Sequence, residues 1–396
     1  MYLVAKERNI TMRQILFISM VYFMSMSSVS AWENYRADPS NTASSISTLP
    51  ATPATAYIVL PRGVASEAIF GSDGDGYIVV KARERYELCR FSTDKLKLIW
   101  RAPITDSISL LGPLTPAISE EAKLVIAVAF SGRVMAFDAL TGKKQWQFDP
   151  TGSLPETTGQ SKITAASAPK YYDGVIYYCG QGSVFALKAI TGKLLWQKII
   201  GGASTTSSPA IGSTAVFISN AEGTVALRRA DGLVLWQNTS ADGAYSPVLD
   251  EENGRLFVAG RHVTCISTES GNTTWKANWV DHEIEGLALA GASNVLLKEV
   301  RGPEGSMRIL SGENGSLIWQ SSLVDGPSQP CVSSNVILTV RLPKLIAFQI
   351  GRTEPLWVLP LGLGITSNSP SIGPGGLVAI HDGNNRLWII RGSTAK

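Results

Sequence analysis

Short stretches of alternating apolar and polar residues recur along the chain, and each repeat ends on a tryptophan. Successive tryptophans are separated by 46, 50, 40, 39, 44 and 38 residues. The seven residues are Trp100, Trp146, Trp196, Trp236, Trp275, Trp319 and Trp357. A period of about 40–50 residues with strand-like content is typical of propeller blades that contain four strands each.

The segment before each tryptophan predicts a hairpin. In GSVFALKAITGKLLW (182–196), an alternating strand leads into a tight turn with glycine, and a short strand then ends on the tryptophan. A second hairpin precedes it in each unit, as in SSPAIGSTAVFISN (207–220), where Ser-Pro comes before two short apolar runs. Each unit therefore predicts a meander of four strands.

Both ends of the repeat array are incomplete. After Leu387–Ile390 no closing tryptophan strand follows, and the apolar run Ala56–Leu60 precedes the first full unit without a hairpin partner. Because an open ring leaves a strand edge exposed, we expect residues 56–61 to supply the outer strand of the C-terminal blade. The sequence thus predicts an all-β, eight-bladed β-propeller of four-stranded antiparallel blades, with the ring closed by an N-terminal strand. Seven blades with one additional hairpin is the alternative.

The tryptophans are predicted to join neighbouring blades. A large flat ring on the outermost strand can pack between two blades and bury about 150–250 Å². The glycine four residues earlier permits a positive φ in the turn. We therefore assign all seven tryptophans a structural role in blade docking.

The repeat resembles the PQQ-type (quinoprotein-like) β-propeller repeat, A-x-D-x-x-T-G-x-x-x-W. The second unit matches it fully, with Ala136, Asp138, Thr141, Gly142 and Trp146. The resemblance implies a propeller fold and two kinds of function. Some members are quinoprotein dehydrogenases that hold the quinone and calcium on the propeller axis, and others are BamB-like non-enzymatic scaffolds.

The dehydrogenase pattern includes adjacent cysteines over the quinone and long insertions between blades, and this chain has neither. We therefore expect no catalytic residue, no cofactor and no metal ligand. The predicted function is an exported, non-enzymatic scaffold with a BamB-like assembly or binding role, which holds a protein or peptide partner on one face of the ring. A PQQ- and calcium-dependent oxidoreductase of the quinoprotein dehydrogenase type is the alternative.

The first 31 residues differ from the rest. Lys6, Arg8 and Arg13 precede a short apolar run that ends in small residues at Val29–Ala31, the pattern of a signal peptide cleaved before Trp32. An uncleaved membrane anchor is the alternative. We predict a signal peptide at 1–31, a single propeller domain at 32–396, and a periplasmic, secretory-lumenal or secreted location without stable membrane insertion after cleavage.

Charge and composition agree with such a protein. The chain is 44% hydrophobic and 17% charged, with 37 glycines, which favours an ordered fold rich in turns. Its net charge is +3; the predicted signal peptide carries +2 of this, which leaves +1. Such balance argues against nucleic-acid binding through phosphate contacts.

Four cysteines lie one each in units one, three, five and seven. They are Cys89, Cys179, Cys265 and Cys331. Because no two fall in adjacent units, we expect no disulfide within the chain, and we interpret the four side chains as small buried hydrophobic groups.

Several other motifs are weaker. The loop 71–76 contains Asp73 and Asp75 between glycines, and it favours an ordinary turn over a calcium site because the distal glutamate of an EF-hand is missing. The acidic run 281–285 favours a charged surface loop over a cation site. His262 and His381 fall in different units and suggest no shared ligand set. Possible N-glycosylation sites are Asn238, Asn272 and Asn314.

Overall fold

The computed structural model describes residues 33–392, apart from 62, 83–84, 106–113, 130, 151–165, 202–206, 242, 244, 278–282, 292, 302–303, 325–327 and 365–368. The predicted signal peptide lies outside the described residues and stays a prediction. Within the described ranges, no helix is long and apolar enough to cross a membrane.

The described strands form eight sheets, and each sheet is one blade. Two short elements come first, β1 (Ser44–Ser45) and β2 (Pro53–Val59). Blade 1 contains β3 (Ile69–Phe70), β4 (Gly76–Ala82), β5 (Arg85–Ser92) and β6 (Lys97–Thr105), and blade 2 contains β7 (Ala117–Ser119), β8 (Leu124–Val128), β9 (Val134–Asp138) and β10 (Lys144–Phe148). Blade 3 contains β11 (Lys170–Tyr172), β12 (Val175–Gly180), β13 (Ser183–Lys188) and β14 (Leu194–Ile199). Blade 4 contains β15 (Ala210–Ile211), β16 (Ala215–Asn220), β17 (Gly223–Arg228) and β18 (Val234–Asn238).

The second half of the ring repeats this plan. Blade 5 contains β19 (Val248–Asp250), β20 (Arg255–Ala259), β21 (Val263–Ser267) and β22 (Thr273–Ala277). Blade 6 contains β23 (Glu283–Ala290), β24 (Asn294–Arg301), β25 (Glu304–Leu310) and β26 (Leu317–Val324). Blade 7 contains β27 (Cys331–Ser333), β28 (Val336–Arg341), β29 (Lys344–Gln349) and β30 (Pro355–Leu359). Blade 8 contains β31 (Ser371–Ile372), β32 (Val378–His381) and β33 (Arg386–Gly392), with a 3-10 turn at Pro374–Gly376 between its first two strands.

An N-terminal strand completes blade 8. β2 pairs antiparallel with β33, from Pro53 opposite Gly392 to Val59 opposite Arg386. The prediction of an all-β, eight-bladed propeller closed by an N-terminal strand is confirmed. The closing strand begins three residues earlier than predicted, at Pro53. The alternative of seven blades is wrong.

The core lies between the blades. The middle strands are buried on both faces, as in β12 and β13, because each blade packs against a neighbour on either side. This explains why these strands are nearly continuous apolar runs, whereas outer strands such as β10 and β18 contain only half-buried and exposed positions. The four cysteines lie on β5, β12, β21 and β27, where their side chains are buried and form no disulfide bond, as predicted.

Each of the seven repeat tryptophans contacts the following blade. Its indole Nε1 donates to a backbone carbonyl there at 2.8–3.2 Å. For Trp146 the acceptor is the Ala189 carbonyl, at 2.9 Å. For Trp357 the acceptor is Pro50 in the segment that leads into the closing strand. This geometry supports the proposed docking role of the tryptophans.

The turn glycine of one blade lies directly beneath the tryptophan of the preceding blade. A Cβ placed on Gly192 would come within 2.4 Å of the Trp146 ring, and one on Gly232 within 2.7 Å of the Trp196 ring. The same relation holds for three more junctions, formed by Gly142 with Trp100, Gly271 with Trp236, and Gly315 with Trp275. The glycine and tryptophan of one repeat therefore serve different junctions, which the sequence pattern did not reveal.

A bulge precedes each repeat tryptophan. The pairing of the third and fourth strands is irregular at the residue just before the tryptophan in blades 1 to 7. Bulges twist an edge strand and hinder unwanted pairing with other chains. The bulge also explains why apolar residues such as Leu195, Leu235 and Ile318 are exposed just before a buried or partly buried ring.

Substituting Gly192 tests the contact between glycine and indole. Gly192 has φ +69° and lies against Trp146, whereas Gly174 in the same blade has φ +76° and open space where a Cβ would lie. We expect Gly174→Ala to cost about 1 kcal/mol, since only the backbone conformation opposes it. Gly192→Ala should cost about 2–4 kcal/mol because the methyl group also displaces the ring. Equal losses in urea unfolding of the two variants would contradict the contact.

Candidate functional site

The N-terminal segment 33–45, which we call the strap, lies along the innermost strands of the ring. Its backbone oxygens accept hydrogen bonds from the innermost strands of blades 2, 4, 5, 6 and 7. The donors are the amides of Ile118, Ile211, Leu249, Leu289 and Val332, at 2.8–3.0 Å. The side chain of Asn34 accepts from the Tyr171 amide of blade 3 at 2.8 Å. The strap thus contacts six blades in the order of the ring.

The backbone of the strap adopts unusual conformations where it follows the curve of the ring. Four of its residues that are not glycine have φ between +48° and +76°: Arg36, Ala37, Asn41 and Ala43. Such conformations cost roughly 1–3 kcal/mol each and persist only where surrounding contacts fix them. The fully buried Asn41 supplies such contacts, since its Nδ2 lies 3.0–3.2 Å from the carbonyls of Ser208, Pro209 and Pro247.

Charged side chains meet beside the strap, near the innermost strands that surround the ring axis. We call Tyr35, Arg36, Asp38, Glu67 and Lys170 the axial cluster. The buried Lys170 Nζ donates to the backbone oxygens of Tyr35 and Asp38, the latter at 2.7 Å. The buried Arg36 guanidinium donates to the carbonyls of Leu287 in blade 6 and Pro330 in blade 7. The two cations therefore tie the strap to three blades.

Burial shifts the titration of these groups. It lowers the pKa of Lys170 to about 7, although the nearby carboxylates of Asp38 and Glu67 oppose this shift. It raises the pKa of Glu67, against the Arg36 charge and a hydrogen bond from Ser369. It also raises the pKa of Asp38, which accepts hydrogen bonds from Thr42 and faces Lys170. Burial therefore favours the neutral forms of these three groups, and the neighbouring groups of opposite charge oppose it in each case.

The axial cluster does not fit the quinone and calcium ion that the sequence resemblance implies for the dehydrogenases. A divalent cation beside Glu67 would lie close to the Arg36 and Lys170 charges, which repel it. The nitrogens of both cations are already bound to strap or blade carbonyls. Within the described residues, no three histidine, cysteine or acidic side chains are grouped so that they could hold a metal ion.

The weaker sequence motifs stay apart from the axis. The loop 71–76 is the turn between the first two strands of blade 1, and Arg90 binds the carboxylates of both Asp73 and Asp75 at 2.8–2.9 Å, which agrees with an ordinary turn. His262 and His381 lie in blades 5 and 8. Asp281 and His282 fall outside the described residues.

The three possible glycosylation sites lie at the ring periphery. Asn272 and Asn314 are exposed turn residues of blades 5 and 6. Asn238 ends β18, and its Nδ2 donates to the Gly271 carbonyl of blade 5 at 2.8 Å. A glycan on Asn238 would break this hydrogen bond, so Asn272 and Asn314 are the better acceptors on geometric grounds.

We expect the protein to lose stability in acid because His381 is buried. Burial lowers its pKa from 6.5 to about 4, against the Asp382 charge, and its Nδ1 accepts a hydrogen bond from the Gly383 amide at 3.2 Å. The unfolded chain gains a proton here below about pH 6.5, whereas the folded chain stays neutral down to about pH 4. The free energy of unfolding should therefore fall by up to about 3 kcal/mol across this range.

His381→Asn tests this assignment, because an asparagine oxygen can replace Nδ1 as the acceptor. We expect the variant to lose stability at pH 7 but to show a weaker decline between pH 6.5 and 4 in urea unfolding. His262→Asn, at a partly buried histidine of blade 5, is the matched control and should keep the wild-type decline. An unchanged decline in the His381 variant would refute the assignment.

Comparison with known proteins relates the chain to two groups. The family model described as "Outer membrane protein assembly factor BamB" matches residues 31–277 and 209–396. A quinohemoprotein alcohol dehydrogenase, ADH IIB of Pseudomonas putida, is 25% identical over 345 residues, which is 77% of this chain and 49% of that protein. BamB of Yersinia pestis is 29% identical over 166 residues, which is 38% of this chain and 40% of that protein. The chain thus matches less than half the length of either relative.

Solved structures of both groups share the fold. BamB from Moraxella catarrhalis has a TM-score of 0.61 at 14% identity, covering 87% of this chain and 99% of that structure. The quinohemoprotein alcohol dehydrogenase from Comamonas testosteroni has a TM-score of 0.70 at 12% identity, covering 95% and 83%. At such identities the likeness concerns the fold alone.

Proposed function

Since the chain belongs to the PQQ-type β-propeller family described as outer membrane protein assembly factor BamB, we propose that it is an exported, non-enzymatic scaffold. It binds a protein or peptide partner on a face of the propeller. The predicted signal peptide at 1–31 supports export, and the seven docking tryptophans support a rigid ring that presents many loops and turns.

One observation carries the non-enzymatic part of this proposal. The dehydrogenases that the sequence resembles are expected to hold their cofactor on the propeller axis. Here the strap lies along the innermost strands that surround the axis, and Arg36 and Lys170 hold it there through backbone carbonyls. Charged groups of opposite sign face one another at this place within the chain, which favours a structural role for it.

The second candidate is a PQQ- and calcium-dependent oxidoreductase. It is favoured by the identity of 25% with the alcohol dehydrogenase from Pseudomonas putida, which extends over 77% of this chain. The two candidates differ in what the folded chain should bind. Only the oxidoreductase should gain stability from the quinone together with calcium.

Thermal unfolding with and without pyrroloquinoline quinone and Ca²⁺ tests the choice. For the scaffold, we expect no change in the melting temperature at any ratio of quinone to protein. A saturable rise of several degrees that needs both additions would favour the oxidoreductase and refute the scaffold. EDTA instead of Ca²⁺ provides the control for nonspecific quinone binding.

Partner binding needs a separate experiment in the cells that make the protein. A photoreactive amino acid is placed at one exposed turn on each of six blades, at Leu140, Ile190, Leu233, Glu269, Glu313 and Arg352. We expect at least one position to yield a discrete crosslinked protein. The proposal would be wrong if no position did so while the protein was folded.

Mass spectrometry of the purified protein should find Trp32 as its first residue if the predicted signal is cleaved.

A further inference from the structure

We infer that the outer edge of blade 3 binds an acidic, extended segment of a partner protein, which adds to the blade as a fifth strand. This inference rests on the proposed scaffold function and specifies the surface and the chemistry of its partner. Three observations carry it: an open strand edge, exposed apolar side chains, and an uncompensated positive charge.

The open edge belongs to β14. This strand is the last of its sheet, so one row of its backbone N–H and C=O groups has no strand partner in the described chain. Three other outer strands carry a proline that hinders strand addition, namely Pro53 in β2, Pro103 in β6 and Pro355 in β30. β14 has no proline. Its bulge lies at Leu195, so the edge pairs regularly from Trp196 to Ile199.

Apolar side chains line the same hairpin. Ile190 in the turn is 61% exposed, and Leu195 and Ile199 on β14 are 49% and 62% exposed. An exposed residue before the tryptophan recurs around the ring because of the bulge, but Ile190 and Ile199 have no such explanation. Together they offer apolar contacts at the turn and at the far end of the edge.

All charged residues in this part of blade 3 are positive. From Gly174 to Ala221 the chain has no acidic residue over 48 positions, although it has 32 in all. Three lysines lie in this stretch, Lys188, Lys193 and Lys198, and all three belong to the outer hairpin. None forms an ion pair within the part of the chain that the structure describes. The open edge is therefore positively charged.

An acidic strand satisfies all three features. Its backbone pairs with the free edge, its apolar side chains meet Ile190 and Ile199, and its carboxylates meet the lysines. A second copy of this chain does not, because the same lysines would then oppose one another, which is how edge lysines prevent self-association. An anionic lipid surface would match the charge and the apolar groups but would leave the backbone edge unpaired.

Two synthetic ten-residue peptides test the inference with the folded, signal-free chain: one alternates valine and glutamate, the other valine and lysine. We expect saturable binding of the glutamate peptide alone, weakened at high salt. Hydrogen exchange should show slower exchange at the amides of β14 and not at β18 or β26. Binding without protection of β14 would contradict strand addition.

Charge reversal supplies the matched comparison. Lys188→Glu/Lys193→Glu should weaken binding of the glutamate peptide at least tenfold. Lys143→Glu/Lys144→Glu makes the same change at exposed lysines of the blade 2 hairpin and should weaken it less than threefold. If both double variants lost the same affinity for the glutamate peptide, the effect would reflect only the overall charge of the protein, and the inference would be overturned.

Vesicles of phosphatidylglycerol form the remaining arm. Binding of vesicles together with no binding of the glutamate peptide would assign the surface to lipid and overturn the inference. Failure here leaves the scaffold function testable, because crosslinks at the other five blades do not depend on β14. Failure of the scaffold function would instead appear as no crosslink at any blade.

Discussion

Arg36→Met is expected to destabilise the ring more than any change on its surface. The substitution leaves the carbonyls of Leu287 and Pro330 without their donor. It also removes one of the two cations that compensate the buried Glu67. Breaking a buried charge pair by removing one partner typically costs about 3–5 kcal/mol, a large part of the roughly 5–15 kcal/mol of a typical domain.

Urea unfolding measures this loss, and two further variants interpret it. Arg261→Met removes the same charge at an exposed position of blade 5 and should change the free energy of unfolding by less than about 0.5 kcal/mol. Arg36→Met/Glu67→Gln should recover part of the loss, because the uncompensated carboxylate is then gone. If Arg36→Met and Arg261→Met unfolded alike, the axial cluster would not hold the strap.

Trp146→Ala is the second large effect. It removes an indole that lies against Gly192 and donates to the Ala189 carbonyl of the next blade. Replacing a large aromatic residue at such a place costs about 3–5 kcal/mol. We expect the melting temperature to fall by roughly 5–10 °C in differential scanning calorimetry, with no change in the strand content seen by circular dichroism.

Leu195→Ala is the control for Trp146→Ala, since it truncates an exposed apolar residue of an outer strand. It should cost less than about 1 kcal/mol. In the Trp146→Ala background, Gly192→Ala should cost only about as much as Gly174→Ala, because the ring that opposes the methyl group is absent. Near-wild-type unfolding of Trp146→Ala would contradict the docking role.

The fold could be predicted because its signals are local and repeated. A tryptophan every 40–50 residues sets the blades, and the unpaired run Ala56–Leu60 predicts the closing strand. The isolated positions of Cys89 and Cys331 exclude a disulfide once the blades are counted. Each of these inferences needs only the spacing of residues along the chain.

The candidate site could not be predicted in the same way. The strap forms most of its hydrogen bonds through its backbone, so the types of its side chains do not indicate which residues it contacts. Arg36 and Pro330 are separated by 294 positions, and neither Lys170 nor Glu67 belongs to a recognisable motif. Only the structure shows that Arg36 contacts the carbonyls of Leu287 and Pro330 in blades 6 and 7.

The strap also imposes an order on biosynthesis. It leaves the ribosome before every strand that it bonds, and its last partner amide, that of Ser334, follows almost 300 residues later. Until then Arg36 lacks its acceptor at Pro330 in blade 7, although the carbonyls that bind Asn41 are already present in blades 4 and 5. The strap can therefore gain its contacts in the order in which the blades are made, and those with blade 7 come last. Closure of the ring needs a still later segment, because β2 pairs with β33.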